Sequence, residues 1–355
     1  MASRRMLLMT EGRLGVFDSK TATCLLRYCA SEVVGIVDSH CIGVRTSEIL
    51  GVDRDVPVVA RVSDALYLNP DCLVIGIAPQ GGALTGVWRD HVLDAIHEGL
   101  NVISGLHAML NDDPEMASAA RAKGVKIWDV RRPPADISIA SARALETRAL
   151  RILTVGTDCN LGKMVTAYEL TRALQARGLD ACFVPTGQTG IIIAGWGIAI
   201  DRVVSDFTAG AVERLVLEQA DRDILVIEGQ GSLLHPAYSG VTLSLLHGSL
   251  PDGIILCHQP RRTRMRGNNL PIAPLSTHIE LCRMLADSFH LTQLIGVSLN
   301  GFGISDEELR REVDRVQSET GLPTTDVIRF GPDLLAGAIE GLHRSVRDSF
   351  GSKIS

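Results

Sequence analysis

The sequence predicts an α/β fold made of two consecutive parallel-sheet units, and three observations carry that expectation. Continuously apolar, strand-like runs recur between amphipathic segments; the pattern breaks once, at "RRPPADIS" (131–138); and it then restarts on a strand that runs into "GTDCNLGKM" (156–164), a Gly-Lys loop opening a helix. Strands apolar on both faces need cover on both, which crossover helices over a parallel sheet supply. Adjacent prolines suit neither a helix interior nor a central strand, so the boundary falls there, giving units 1–135 and 136–355.

In the first unit, strands are predicted at 33–39, 56–60, 71–79, 101–106 and 125–130, with helices at 88–99 and 113–123. "TEGRLG" (10–15) and "GIAPQGG" (76–82) read as glycine turns at strand ends, but no Gly-x-Gly-x-x-Gly fingerprint supports dinucleotide binding. In the second unit, strands are predicted at 151–155, 181–185, 223–229, 253–259, 294–300 and 326–330. Helices are predicted at 162–177, 207–220, 277–288 and 305–319, with one more at the end.

With 355 residues, 46% hydrophobic and 21% charged, the chain can bury sizeable cores. A net charge of -6 gives no electrostatic reason to expect nucleic acid or an anionic membrane as partner. The eight cysteines lack Cys-x-x-Cys or zinc-ligand spacing, and Cys72, Cys182 and Cys257 sit in strand-like runs, so buried reduced thiols are expected. The N-terminal "MASRRMLLMTEG" has too short an apolar run for a secretory signal. No stretch reaches the roughly 18 apolar residues of a membrane span. "GIIIAGWGIAI" (190–200) is too short and glycine-rich, and reads as a subunit interface or a buried strand-turn. The expectation is a cytoplasmic homo-oligomer.

The loop after the first strand of the second unit carries the chemistry. In that context, backbone N–H groups and a helix N-terminus face an anion while Lys163 adds a point charge. Gly156, Thr157, Asp158, Cys159, Asn160, Gly162, Lys163 and Met164 are therefore predicted to cradle phosphate; a bare glycine turn with an exposed lysine is the competing reading. The loop resembles that of the dethiobiotin synthetase and cobyrinic-acid amidase class of P-loop proteins, with two departures. In that class a Thr follows the Lys and its hydroxyl ligates Mg²⁺, whereas Met164 offers a thioether, a poor partner for a hard cation. Those ligases also carry a lysine before the next strand-end proline, where this chain has Val184 before Pro185. Both losses favour a loop that grips phosphates over one that transfers them.

Four more segments follow. "PTGQTG" (185–190) places Gln188 and Thr189 at a strand's carboxyl end, where open α/β sheets bind ligands. Asp206 reads equally as the cap of the 207–220 helix or as a site residue, and Asp201 is similarly divided. "DILVIEGQGSLLHPAYSG" (223–240) has the form of a Walker-B strand delivering Glu228, with His235 as a second candidate base or an ordinary loop histidine. "CHQPRRTRMRGNNLP" (257–271) gathers Arg261, Arg262, Arg264 and Arg266, suited to phosphate or carboxylate, although a solvated charge run looks the same; His258 reads as packing.

Taken in order, "GTDCNLGKM", "PTGQTG", "DRVVSDFTAGAVE", "IEGQGSLLHPAYSGVTLSLLHG" and "CHQPRRTRMRG" resemble the D-glutamate N-acetyltransferase family, over nearly the whole chain. The resemblance implies a Rossmann-like N-terminal domain followed by a P-loop NTPase-like α/β domain, and acetyl transfer from acetyl-CoA to the amino group of D-glutamate. Acetyl-CoA carries phosphates that such a loop can hold without hydrolysis or Mg²⁺. Glu228, then His235 or Asp206, would act as base; N–H groups of Gly229 to Gly231 would meet the oxyanion. Gln188, Thr189, Arg261, Arg262 and Arg264 would bind substrate. A ping-pong route through Cys159 needs the lowered pKa of a thiol at a helix N-terminus. The alternatives are an ATP/Mg²⁺-dependent ligase or kinase acting on a small carboxylate, and a non-catalytic nucleotide-binding regulator.

Overall fold

Met6–Met9, four apolar residues with every side chain buried, form the central strand of the first sheet. The computed structural model describes residues 4–16, 18–77, 84 and 86–351, with side chains described up to 347. The chain divides into two compact units, Met1–Pro133 with Ile191–Gly195, and Pro134–Gly190 with Trp196–Ser355.

The first unit runs β1 (Met6–Met9), α1 (Lys20–Tyr28), β2 (Val33–Val37), α2 (Thr46–Leu50), β3 (Val58–Val59), β4 (Cys72–Ile75), α3 (Val87–His97), β5 (Asn101–Ser104), α4 (Pro114–Lys123) and β6 (Ile127–Asp129). Its six strands, all parallel, lie in the order β3-β2-β1-β4-β5-β6, so the winding direction reverses between β1 and β4. That reversal opens a crevice at the carboxyl edge. Leu7, Met9, Leu73, Ile75, Val92 and Ile96 sit in its core. The "GIAPQGG" turn lies outside the described residues from position 78 onward.

From Pro134 onward the chain runs β7 (Leu150–Gly156), α5 (Lys163–Ala176), β8 (Ala181–Val184), α6 (Gln188–Ala194, of which Ile191–Ala194 are counted with the first unit), α7 (Thr208–Leu217), β9 (Ile224–Ile227), α8 (Ser239–Ser249), β10 (Gly253–His258), α9 (Leu275–Ala286), β11 (Gln293–Leu299), α10 (Asp306–Thr320), β12 (Thr324–Thr325) and α11 (Asp333–Gly351). These strands are also all parallel, in the order β12-β11-β10-β7-β9-β8. The two-unit α/β prediction therefore holds.

Three local expectations do not. Residues 326–330 form a turn, because Asp326 accepts from the N–H groups of Ile328 and Arg329, an Asx turn that competes with strand pairing. Of the two readings of 190–200, a subunit interface or a buried strand-turn, the second meets helix α6 over its first residues, where Ile191 and Ile192 are buried. Asp206 does not cap α7: it lies exposed in a single 3₁₀ turn, and Phe207 occupies the cap position with no side-chain bond. All eight cysteines are unpaired; Cys72 and Cys257 are buried, whereas Cys182 is only partly covered. Among the described residues no helix is long and apolar enough to cross a membrane.

Candidate functional site

β7 is flanked by β10 on one side and β9 on the other, with β8 beyond β9. The loops leaving these four strands thus share the carboxyl edge of one sheet, the place where open α/β sheets hold ligands. The loop after β7 turns into α5 through Gly162, whose φ of +98° a side chain would strain against. Lys163 curls back so that Nζ donates to the Asp158 carbonyl at 2.8 Å. The first-turn N–H groups of a helix have no intrahelical acceptor, so an ammonium and a positive helix end serve the same loop.

Met164 is buried and brings no oxygen to this seat. The hydroxyl of Thr166 lies 2.9 Å from Ser298 Oγ on β11, turned into the sheet, and so does not replace the missing metal ligand. Asn300 steadies the loop from the other side, donating from Nδ2 to the Leu161 carbonyl.

Asp158 is the hub of the loop. Fully buried, it accepts through Oδ1 from Cys159 N at 2.7 Å, and through Oδ2 from Arg266 N at 2.9 Å and Arg262 Nη1 at 3.2 Å. Arg262 donates further to the Cys159 carbonyl at 2.8 Å. Burying a carboxylate is tolerable only with such partners. Arg262 is therefore part of the loop's scaffold rather than an open substrate ligand. Arg261, held at φ +66°, pairs with Glu308 on α10, and Arg264 donates to the Asn269 carbonyl. Of the arginines in this loop, Arg264 and Arg266 remain exposed with no carboxylate partner among the described residues.

Burial and the neighbouring Asp158 raise the Cys159 thiol above its ordinary pKa, outweighing Lys163, Arg266 and Arg262. The expected lowering is overturned, because the half-buried sulfur pays more for losing water than the cations return. Cys159 is thus a poor nucleophile. His258 donates or accepts at 3.0 Å with Thr157 Oγ1, and burial, with Arg315, His278 and Arg262, pushes its pKa down to about 4.

One strand over, β9 delivers Glu228. Its Oε2 accepts from the backbone N–H groups of Thr186 and Gly187, both at 3.0 Å, and Thr186 Oγ1 donates to its carbonyl at 2.7 Å. A Cβ at Gly190 would stand 2.4 Å from Glu228 Oε2, so the glycine in the first turn of α6 makes room for the carboxylate. Gln188 and Thr189, which open α6, are both buried. Gly229 N already donates to Thr154 Oγ1 at 2.9 Å, which removes it from the expected oxyanion donors. His235 is buried and stacked on Tyr238; Nδ1 accepts from Ala237 N at 3.2 Å, and Nε2 faces the Arg266 carbonyl at 3.0 Å. A carbonyl only accepts, so the ring is the Nε2–H tautomer with both nitrogens engaged. His235 thus braces the arginine loop through the Arg266 carbonyl.

A family model described as a domain of unknown function, the DUF1611 C-terminal P-loop domain, matches residues 138–336, and the companion N-terminal Rossmann-like model matches residues 39–133. The chain belongs to the DUF1611 family. A DUF1611 family protein from Anabaena variabilis, solved by crystallography, superposes with a TM-score of 0.91 at 39% identity, covering 95% of this chain and 99% of that one. Curated relatives include a protein from Tritonibacter scottomollicae, 40% identical over 280 residues (78% of this chain, 84% of the relative). Another, from Pseudoalteromonas sp, is 38% identical over 274 residues (77% and 82%); both are named D-glutamate N-acetyltransferase.

In this DUF1611 chain the structure brings together the 156–164 loop, Glu228, Gln188 and Thr189 at the edges of β7, β9 and β8. It leaves Asp206 without a hydrogen bond or ion pair to any of them among the described residues. Sequence reasoning gave no role to Thr186, which fixes Glu228, or to Thr154. Thr186 lies inside the quoted "PTGQTG", but nothing local says that its backbone faces a carboxylate 42 positions away.

Proposed function

We propose that this DUF1611 protein moves the acetyl group of acetyl-CoA to the amino group of D-glutamate by direct attack of the deprotonated amine. The supporting observation is a P-loop with no free hydroxyl at the usual metal-ligand place, where Met164 stands and Thr166 is bonded to Ser298, beside a carboxylate delivered by the adjacent strand. The relatives named D-glutamate N-acetyltransferase, 38% and 40% identical over more than three quarters of the chain, support the acyltransferase class.

The seat fits coenzyme A by the chemistry of its donors: Lys163 and the α5 N–H groups match pyrophosphate oxygens, which are carried and not cleaved. Glu228 removes one proton from the substrate ammonium. The amine nitrogen bonds the thioester carbon, the C–S bond breaks, one proton leaves on the thiol, and the other passes through Glu228 to solvent. Arg264 and Arg266, exposed on the loop after β10, would take the substrate carboxylates as guanidinium forks.

Calorimetry with acetyl-CoA and with ATP, each with and without Mg²⁺, tests the reading, together with acetylation of a panel of D- and L-amino acids. Acetyl-CoA binding is expected to be indifferent to Mg²⁺, and N-acetyl-D-glutamate to form without nucleotide breakdown. Obligatory ATP hydrolysis would replace this reading with the ligase alternative.

A further inference from the structure

The carboxyl edge of the first sheet holds a second cluster. Glu11 follows β1, Asp38 and His40 follow β2, and His91 reaches in from α3, at the reversal between β1 and β4. Glu11 and Asp38 are 4% and 0% exposed, and among the described residues neither pairs with a lysine or arginine. Two buried carboxylates without a cation are costly.

The donors converge. His40 Nδ1 lies 3.4 Å from Glu11 Oε1 and 3.8 Å from Asp38 Oδ1, and His91 Nε2 lies 3.5 Å from Glu11 Oε2. The His91 ring is 5% exposed, and neither of its nitrogens has a hydrogen-bond partner. Glu11, Asp38 and His40 each bring a ligand atom within 4.8 Å of the other two, and a tetrahedral metal with donors about 2.1 Å away has donor–donor edges of about 3.4 Å, which the His40 separations approach. The ligands are also braced. Ser39 donates to Glu11 from N at 2.7 Å and from Oγ at 2.5 Å; Asp38 accepts from Thr10 Oγ1, Gly12 N and His40 N. Trp88 Nε1 ties α3 to the Glu11 carbonyl at 2.9 Å, one turn before His91.

We infer that this edge is a binding site for one first-row divalent transition-metal ion, Zn²⁺ above all, with Glu11, Asp38 and His40 as ligands and His91 as the buried imidazole beside Glu11. A ligating imidazole beside two carboxylates, with a second imidazole next to them, suits borderline metals better than Mg²⁺ or Ca²⁺, which take oxygen ligands. His40 is 69% exposed, so the site opens to solvent and leaves a position for water or a small anionic ligand. The inference is independent of the acetyltransferase reading.

The full-length protein, stripped with chelator, is titrated with Zn²⁺ and, for its visible spectrum, with Co²⁺. One equivalent is expected to bind with micromolar or tighter affinity, to raise Tm, and to give a Co²⁺ spectrum without a thiolate charge-transfer band. Glu11→Gln and His91→Ala should each abolish or weaken binding. The exposed His40→Ala, which has little reason to unfold the chain, should weaken it at least about tenfold, the scale that even outer-sphere losses reach. Asp158, Cys159 and His235 also cluster at metal-ligand spacing, so Cys159→Ser is titrated in parallel. Absence of saturable binding, binding that survives His40→Ala, or binding lost in Cys159→Ser would overturn the assignment.

Discussion

The carboxyl edges of the two sheets solve the same electrostatic problem in opposite ways. At β7, buried Asp158 is neutralised from within by Arg262 and by the N–H groups of Cys159 and Arg266, beside buried Lys163 and the start of α5. At β1 and β2, buried Glu11 and Asp38 have N–H and hydroxyl donors and histidine neighbours but, among the described residues, no lysine or arginine partner. On the proposed readings, one edge receives negative charge and the other positive. The same parallel-sheet architecture therefore fixes where a ligand sits, while the charge left uncompensated fixes which kind.

The largest effect should come from Glu228→Gln. Turnover is expected to fall about 10²–10⁴-fold, the scale of a lost general base, with acetyl-CoA affinity by calorimetry nearly unchanged. An unchanged kcat would remove Glu228 from the chemistry and leave the second edge a mere anion seat. Lys163→Ala should then weaken acetyl-CoA binding by about 10–100-fold, corresponding to one charge-assisted contact of about 1.5–3 kcal/mol. Equal binding by that variant would break the contrast between the edges.

Asp158→Asn sharpens it. Removing the charge that Arg262 faces should destabilise the chain by about 2 kcal/mol in urea unfolding and loosen the loop. A neutral outcome would mean that solvent, rather than Asp158, compensates the arginine.

The smallest effect is a pH dependence. Burial, with Arg315, His278 and Arg262, holds His258 at about 4, and burial holds His278 at about 4 against the pull of Asp158. Between pH 4 and the ordinary value of about 6.5 the unfolded chain takes up protons that the folded chain refuses. Stability should therefore be flat above that window and fall as pH drops through it, by about 1.4 kcal/mol per pH unit for each histidine. Urea midpoints at pH 7, 6 and 5 check the sign, and His258→Gln should shallow the slope.

Much of this was legible in the sequence because it depends on short-range pattern. The phosphate loop is a strand, a glycine and a lysine within nine residues, and Glu228 ends an apolar strand, so each is a local statement. The settings of Arg262 and His235 were hidden for the same reason: an arginine run and a loop histidine advertise a site, yet their partners, Asp158 and the Arg266 carbonyl, come from other segments. The cluster of Glu11, His40 and His91 was invisible because its members are scattered over 80 residues of otherwise ordinary turns and a helix.

By itself the sequence determined the two parallel sheets, since apolar strand runs alternating with helices can be buried only that way, and it determined the strand–loop–helix of the P-loop domain. Tertiary structure decided the protonation and employment of the polar groups: which arginines are spoken for, that the Cys159 thiol is raised rather than lowered, and which carboxylates stand without a cation. Those outcomes depend on distances of a few ångströms between residues far apart in the chain, and the Coulomb and desolvation energies that set them are fixed only when the fold brings them together.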